Sequence, residues 1–520
     1  MTAYREARRS LRRTRRRASV EGRRHARTLR RHARHAWFRA RREVRPLQRE
    51  LEAFPRQARR SSQVWTRQVK ADARRGDLRA VAVLLLTITF ALLPLQNLRL
   101  TSGVAFADVA LLGAALVALA SRHPRPAASP LPALIRYGAL LMAVGGAVGL
   151  IFADERLTSA KLLVRLLAVA ALAGVAILRV APSGREVRRF LIGFVVVGAV
   201  SGGLSALGDL TGAPLLDRST FGDRAVGLTV LPYPMLDYLR GTTATAASIA
   251  INPNLFGGVS AVAGAAALVL LVETAGWRMR AVLGAAAAGL ALGVLFSGSR
   301  SALVALVVGG VPAVWRLVRQ GHGRRVLLGA AALGVVGALA LTATVEAPSL
   351  DRLLLRSGSA ESERSAESTI KRYQNATRGL EARGWHSLAS GSGLRDDVAA
   401  KLHDGHLEIW VGLGLVGLVG WLLLCAGVIE GGVRYAGRAG PLGATEVALL
   451  AVGSAFAANV TVTFFVDTLW NRYIWLLVAL AVSLMIRPHG VERAATAAPV
   501  PAPAREDEPR DGVEPELVGV

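Results

Sequence analysis

From residue 403 the chain reads HDGHLE, and an apolar run follows at once. Two histidines, an aspartate and a glutamate within six residues offer two kinds of chemistry. A histidine near its ordinary titration range can move a proton as general acid or base. Alternatively, His403 and His406, with Asp404 and Glu408, could hold a divalent metal. The zinc-peptidase pattern, two histidines four apart with a glutamate between, is absent. Of nine histidines, only His386, His403 and His406 are expected on the outward side. They are therefore the candidates for an outer-face base, and the plain alternative is three solvated loop histidines.

A second group is made of arginines with distinctive neighbours. Arg300 lies in FSGSRSALVAL, Arg224 in DRAVGLT, and Arg240 in YLRGTT, shortly before INPNLFGG. A guanidinium offers two parallel N–H donors that match a phosphate or diphosphate. Taken singly, each arginine is equally explained as a side chain snorkelling to the lipid headgroups.

These residues must be positioned by membrane-spanning helices. Hydrophobic residues make up 52% of the 520 and aromatics only 6%, and mean hydropathy is +0.39. Runs of about 20 apolar residues are the mark of bilayer-spanning helices. Twelve are expected, near 80–95, 104–120, 133–152, 162–180, 190–208, 255–272, 281–296, 301–318, 326–344, 407–429, 444–463 and 472–486. The predicted fold is thus all-α, a polytopic integral membrane protein with a large outer loop between spans nine and ten. Cytoplasmic loops carry an excess of Lys and Arg. With the N-terminus inside, the inner loops hold fourteen arginines, while the four short outer loops hold only Arg99, Arg156, Lys161, Arg300 and Arg472. Both termini are therefore expected in the cytoplasm. The lone cysteine, Cys425, excludes intrachain disulfides and thiolate metal sites.

Three regions follow. Residues 1–78 carry 26 Lys and Arg against 7 Asp and Glu. This basic cytoplasmic arm is expected to lie on the anionic leaflet, with nucleic-acid binding the disfavoured alternative. No removable signal peptide is expected, and the first apolar block reads as a retained anchor. Residues 79–486 form the transmembrane domain, with long outer segments at 209–254 and about 345–406. Residues 487–520, rich in Pro, Ala and acidic side chains, read as a disordered cytoplasmic tail.

In order, the chain shows RAVG at 224–227, NPNLFGG at 252–258, SGSRSALVAL at 297–306, SGSGL at 390–394 and HDGHLEIWVGLGLVGL at 403–418. This order resembles the O-antigen ligase and polymerase family of membrane glycosyltransferases. That pattern has an outward Arg and Asn-Pro-Asn before one span, Ser-Arg opening another, and a large outer loop. The loop closes on His-Asn-x-x-Leu-Glu and a Gly-Leu-x-Gly-Leu helix start. Here Asp404 stands for the Asn, and Arg224 lies 28 residues from Asn252, so Arg224 or Arg240 fills the upstream arginine position.

The resemblance implies transfer of a glycan from undecaprenyl pyrophosphate to an acceptor hydroxyl on the outer face of the cytoplasmic membrane, as ligase or polymerase. Neither nucleotide cofactor nor metal is implied. His403 would be the base or would position the hydroxyl, and Arg300 with Arg224 or Arg240 would hold the diphosphate. Asn252, Asn254 and Glu408 would support them. His403 is predicted to be essential, and His406 dispensable. The rival class is a transporter or lipid-linked glycan flippase, which would require repeated units or broken helices. Neither is visible in the sequence.

Overall fold

Within hydrocarbon, long runs of Ala, Val, Leu and Gly must satisfy their backbone groups internally, and the α-helix does so within one segment. A computed structural model describes residues 77–95, 105–121, 129–211, 253–297, 299–324, 374, 385–394, 404–465 and 471–487. Among the described residues every regular element is helical. In chain order these are α1 (Arg79–Leu92), α2 (Phe106–Ala120), α3 (Ala133–Ile151), α4 (Arg156–Val180), α5 (Gly184–Thr211), α6 (Pro253–Glu273), α7 (Trp277–Phe296), α8 (Arg300–Arg319), the short α9 (Trp385–Ser390), α10 (Gly405–Val433), α11 (Ala444–Thr463) and α12 (Arg472–Met485). Eight of them, α3 to α8 with α10 and α11, are long and apolar enough to cross a membrane. Helices α1, α2 and α12 are apolar but shorter, at 14, 15 and 14 residues. The chain therefore has the make-up of a multi-pass helical membrane protein. Eleven of the expected spans coincide with these helices. The remaining one, 326–344, lies outside the described residues, as do both tails and most of the two long outer segments.

Contacts between helix ends fix the direction of each helix. At one end of the bundle the start of α1 meets the start of α5, where Arg79 donates to Glu186 at 2.6 and 2.8 Å and to the carbonyl of Val180, the last residue of α4. At this same end the α6 terminus meets the α8 terminus and the α10–α11 turn. Arg316 donates to Glu273 at 2.6 Å, to the carbonyl of Gly440 at 2.5 Å and to that of Arg438. At the opposite end the start of α2 meets the start of α12 through the Asp108–Arg472 ion pair, and Ser159 of α4 donates to the carbonyl of Leu394 at 3.0 Å. Consecutive spans alternate in direction, except that α8 and α10 run in parallel. Among the described residues, the arginine-rich turns gather at the first end, and the starts of α6, α8 and α10, which carry motif residues, at the second.

Arg316, one of the fourteen arginines expected in inner loops, and Arg472, expected in an outer loop, turn out to be structural. Arg316 has a side chain only 1% exposed and Glu273 only 7%, so the pair is a buried lock rather than a solvated turn charge. Arg472 is tied to Asp108, one of the few in-span charges, which also accepts from the Ala105 amide at 2.8 Å.

Small residues let backbones approach closely where lipid supplies no hydrophobic drive. Along the antiparallel α3–α10 seam, Gly138 faces Gly420 and Leu424, Gly145 faces Gly417, and Gly149 faces the Gly412 carbonyl. A Cβ on any of the three α3 glycines would lie 2.4–2.6 Å from α10 backbone atoms. The glycine-rich run after Glu408 is thus, first of all, a packing surface.

Candidate functional site

The site begins with how α10 starts. Asp404 adopts extended backbone and accepts from the amides of His406 (2.9 Å) and Leu407 (3.1 Å), the usual work of an N-cap carboxylate. Burial pushes the Asp404 carboxyl above its ordinary value, against the pull of those two amides. Asparagine caps as well as aspartate, so this departure from the resembled motif preserves the local fold.

Helix α10 is broken. Gly414 sits at φ 70°, ψ −175°, outside helical space. The break releases the carbonyls of Val411 and Gly412, which accept from the amides of Ser392 (2.9 Å) and Gly393 (3.1 Å). Ser392 adds its hydroxyl to Val411 at 3.1 Å, and Trp410 donates its indole N–H to the Leu388 carbonyl at 3.0 Å. The SGSGL segment is therefore a strap that replaces the missing helical partners. This is how discontinuous backbone is tolerated at membrane depth. It also corrects the expectation of one continuous span at 407–429 and of no broken helix.

The angle at the break is large. In a straight helix residues 406 and 421 would stand about 22 Å apart, yet Trp421 donates from Nε1 to His406 Nδ1 at 2.9 Å. The N-terminal half, Gly405–Leu413, is thus turned sharply off the axis of the remainder. Because indole N–H only donates, Nδ1 of His406 must be the acceptor and Nε2 must carry the proton. Nε2–H then donates to the Val460 carbonyl at 3.1 Å, near the end of α11. His406 is buried, with the Phe464 ring 4.1 Å from its own by centroid. With both nitrogens engaged, it is a staple between α10 and α11 rather than a solvated loop residue.

The second motif is equally local in its causes. In SGSRS, Ser297 donates to the Val294 carbonyl at 2.7 Å and accepts from the Ser299 amide at 3.2 Å. Ser299 caps α8 by accepting from Ala302 N at 3.4 Å. Arg300 is the first residue of α8 and is half-buried. The start of α6 presses on this turn: a Cβ on Gly257 would lie 2.4 Å from Ser297 Oγ, and one on Gly258 would lie 2.9 Å from Val462 of α11.

These contacts gather three motif elements at one end of the bundle. Asn254 lies in the first turn of α6, Arg300 opens α8, and Glu408, buried at 3% exposure, lies in the first turn of α10. All three helices begin there, so their positive dipole ends face the same region, a setting that favours an anion. His403, Arg224, Arg240 and Asn252 lie outside the described residues, as do the side chains of Asn254 and His386. Among the described residues no three His, Cys, Asp or Glu side chains cluster as metal ligands. Sequence reasoning missed Trp421 and the break; the GLG inside an otherwise apolar span and the SGSG before it mark the place without telling a straight helix from a broken one. No protein-family model matches the chain, and no curated protein does.

Proposed function

We propose that the chain is a metal-independent membrane glycosyltransferase of the O-antigen ligase or polymerase type. It takes a glycan from undecaprenyl pyrophosphate and passes it to an acceptor hydroxyl on the outer face of the bacterial cytoplasmic membrane. The observation that carries this reading is the meeting of the α6, α8 and α10 starts, with Asn254, Arg300 and Glu408, at the bundle end remote from the arginine-rich turns. His403, directly before the α10 cap, accepts the acceptor proton. The acceptor oxygen attacks the anomeric carbon, and the bond from that carbon to the diphosphate oxygen breaks. Negative charge then builds on the departing undecaprenyl pyrophosphate. Arg300, with Arg224 or Arg240, neutralises it, aided by the helix dipoles. Both termini are cytoplasmic, and the basic arm of residues 1–78 lies on anionic lipid rather than on nucleic acid.

The test is glycan transfer by purified protein from a lipid pyrophosphate donor. His403→Ala should lower the rate about 10²–10⁴-fold, as for loss of a general base. Arg300→Lys, which keeps the charge but not the planar fork, should also be impaired. Normal transfer by a folded His403→Ala protein would remove the assignment.

A second reading has its own support. A helix broken at Gly414 is the kind of element that transporters place around a substrate. Movement of the lipid-linked glycan across a vesicle membrane, without a new glycosidic bond, would favour a flippase.

A further inference from the structure

Helix α11 packs against α5, α6, α8, α10 and α12. It carries a single asparagine, Asn459, about one turn before its end. That side chain is fully buried, at 0% exposure. Among the described residues neither its Nδ2 nor its Oδ1 has a hydrogen-bond partner. Nearby backbone acceptors are taken by other side chains. The Asn459 carbonyl accepts from the Thr463 hydroxyl at 2.9 Å, and the Val460 carbonyl accepts from His406 at 3.1 Å. Two contacts fix where the amide points. Val462 lies against α6, 2.9 Å from where a Cβ on Gly258 would stand, and the Phe456 ring is 6.5 Å by centroid from Trp421 of α10. Residues three apart stand about 60° apart around a helix axis. Asn459 is three from each, so it points between them, into the seam of α6 with α10. An amide brings N–H donors and a carbonyl acceptor there. Burying such groups bare is costly, and buried polar atoms are ordinarily paired by protein or by ordered water.

We propose that Asn459 binds an internal water molecule sealed between α6, α10 and α11. Water fits both sides of the amide, because it accepts from Nδ2–H and donates to Oδ1. A cation takes several oxygen ligands, whereas this side chain presents one oxygen beside N–H groups that repel positive charge. A side chain at 0% exposure is closed to a sugar or a lipid headgroup. The bound water satisfies the amide without a direct side-chain tie from α11 to α6 or α10. The site is independent of the glycosyltransferase reading.

The test uses the full-length protein in nanodiscs, equilibrated with heavy-oxygen water and irradiated briefly with X-rays. Radiolysis of a bound water places its oxygen on the nearest side chains, which peptide mass spectrometry reads. Phe456 is the reporter, at 0% exposure. Phe190, equally buried and stacked on Phe90 at 5.6 Å, is the dry control. Label on Phe456 well above that on Phe190 is expected. In Asn459→Leu, which keeps the bulk and removes both polar atoms, it should fall about tenfold or more, the worth of two water-held hydrogen bonds. Asn459→Ser, which keeps a hydroxyl and leaves more room, should retain it. Labelling of Phe456 no higher than Phe190 in wild type would overturn the water. Equal labelling of wild type and Asn459→Leu would overturn its assignment to Asn459. Labelling that depends on sodium or potassium, and is lost in choline, would overturn water in favour of a cation. If Asn459→Leu fails to fold, the comparison of Phe456 with Phe190 in wild type still decides.

Discussion

Replacing Gly414 by alanine should be among the most damaging single-methyl changes in this protein. At φ 70°, ψ −175° the residue occupies a region essentially closed to side chains, costing about 1–3 kcal/mol. The added Cβ would also lie 2.6 Å from the Ala389 carbonyl oxygen, 2.6 Å from the Ser390 carbonyl carbon and 2.7 Å from the Gly391 nitrogen. All three are backbone atoms of the end of α9 and the strap, which cannot rotate away. Overpacking of that kind adds about 1–3 kcal/mol, for a total of roughly 2–6 kcal/mol. Gly174 in α4 is the matched control, since a Cβ there would meet nothing within 4 Å. Gly174→Ala should be neutral or stabilising by up to about 1 kcal/mol. Thermal unfolding in nanodiscs, followed by tryptophan fluorescence, reads both. A distance measurement between spin labels at positions 407 and 422 adds a geometric check, because a straightened helix would set those positions about 22 Å apart. If Gly414→Ala melts with wild type, or Gly174→Ala is equally harmful, the argument for an obligatory break fails.

Loss of the His406 staple should also destabilise, because His406→Ala strands the Trp421 indole N–H and the Val460 carbonyl, at about 1–3 kcal/mol for each buried group. A milder loss in Trp421→Phe, which removes one partner only, would support this by the same melting assay. Arg316→Met should cost about 3–5 kcal/mol by leaving the buried Glu273 carboxylate without a counter-charge, with only the Gln320 amide donating to it at 2.9 Å. Arg316→Met/Glu273→Leu should recover much of that loss, whereas additive losses would refute the paired reading.

Span existence was legible in the sequence because twenty-residue apolar runs have few alternatives in lipid. Span geometry was not. The Leu-Gly-Leu at 413–415 looks the same in a straight helix and in a broken one, since glycine is permitted in both. What decides is the strap, whose amides at Ser392 and Gly393 reach Val411 and Gly412 from across the fold. No local pattern announces a partner 19 residues away. Charge was read for sidedness, and it grouped the arginine-rich turns correctly at one end. It could not reveal that Arg316 is spent on Glu273 and two carbonyls, because burial depends on the α6, α8 and α11 arrangement. The opposite error befell His406. Its position beside His403 suggested an outward loop side chain, yet Trp421, one half-helix later, and Val460, in another helix, consume both its nitrogens.

The break also gives the titratable cluster its place. As a straight rod the 29 residues of α10 would extend about 43 Å, well beyond a hydrocarbon core of roughly 30 Å. Its start, with Asp404, His406 and Glu408, would then stand far out in water with nothing to pack against. Gly138 and Gly145 of α3 pack on the later part, Leu415–Val433, and those 19 residues alone span about 28 Å, close to the core thickness. The nine residues Gly405–Leu413 turn off at Gly414 and rest on the end of α11 through His406. Bending thus converts surplus helix length into a platform at the bundle end, where the α6 and α8 starts also lie. On that platform the N-terminus of the half-helix is set by packing instead of by a solvated loop. The glycan transfer proposed for this chain, between a lipid-borne group and a water-borne one, would call for such a boundary.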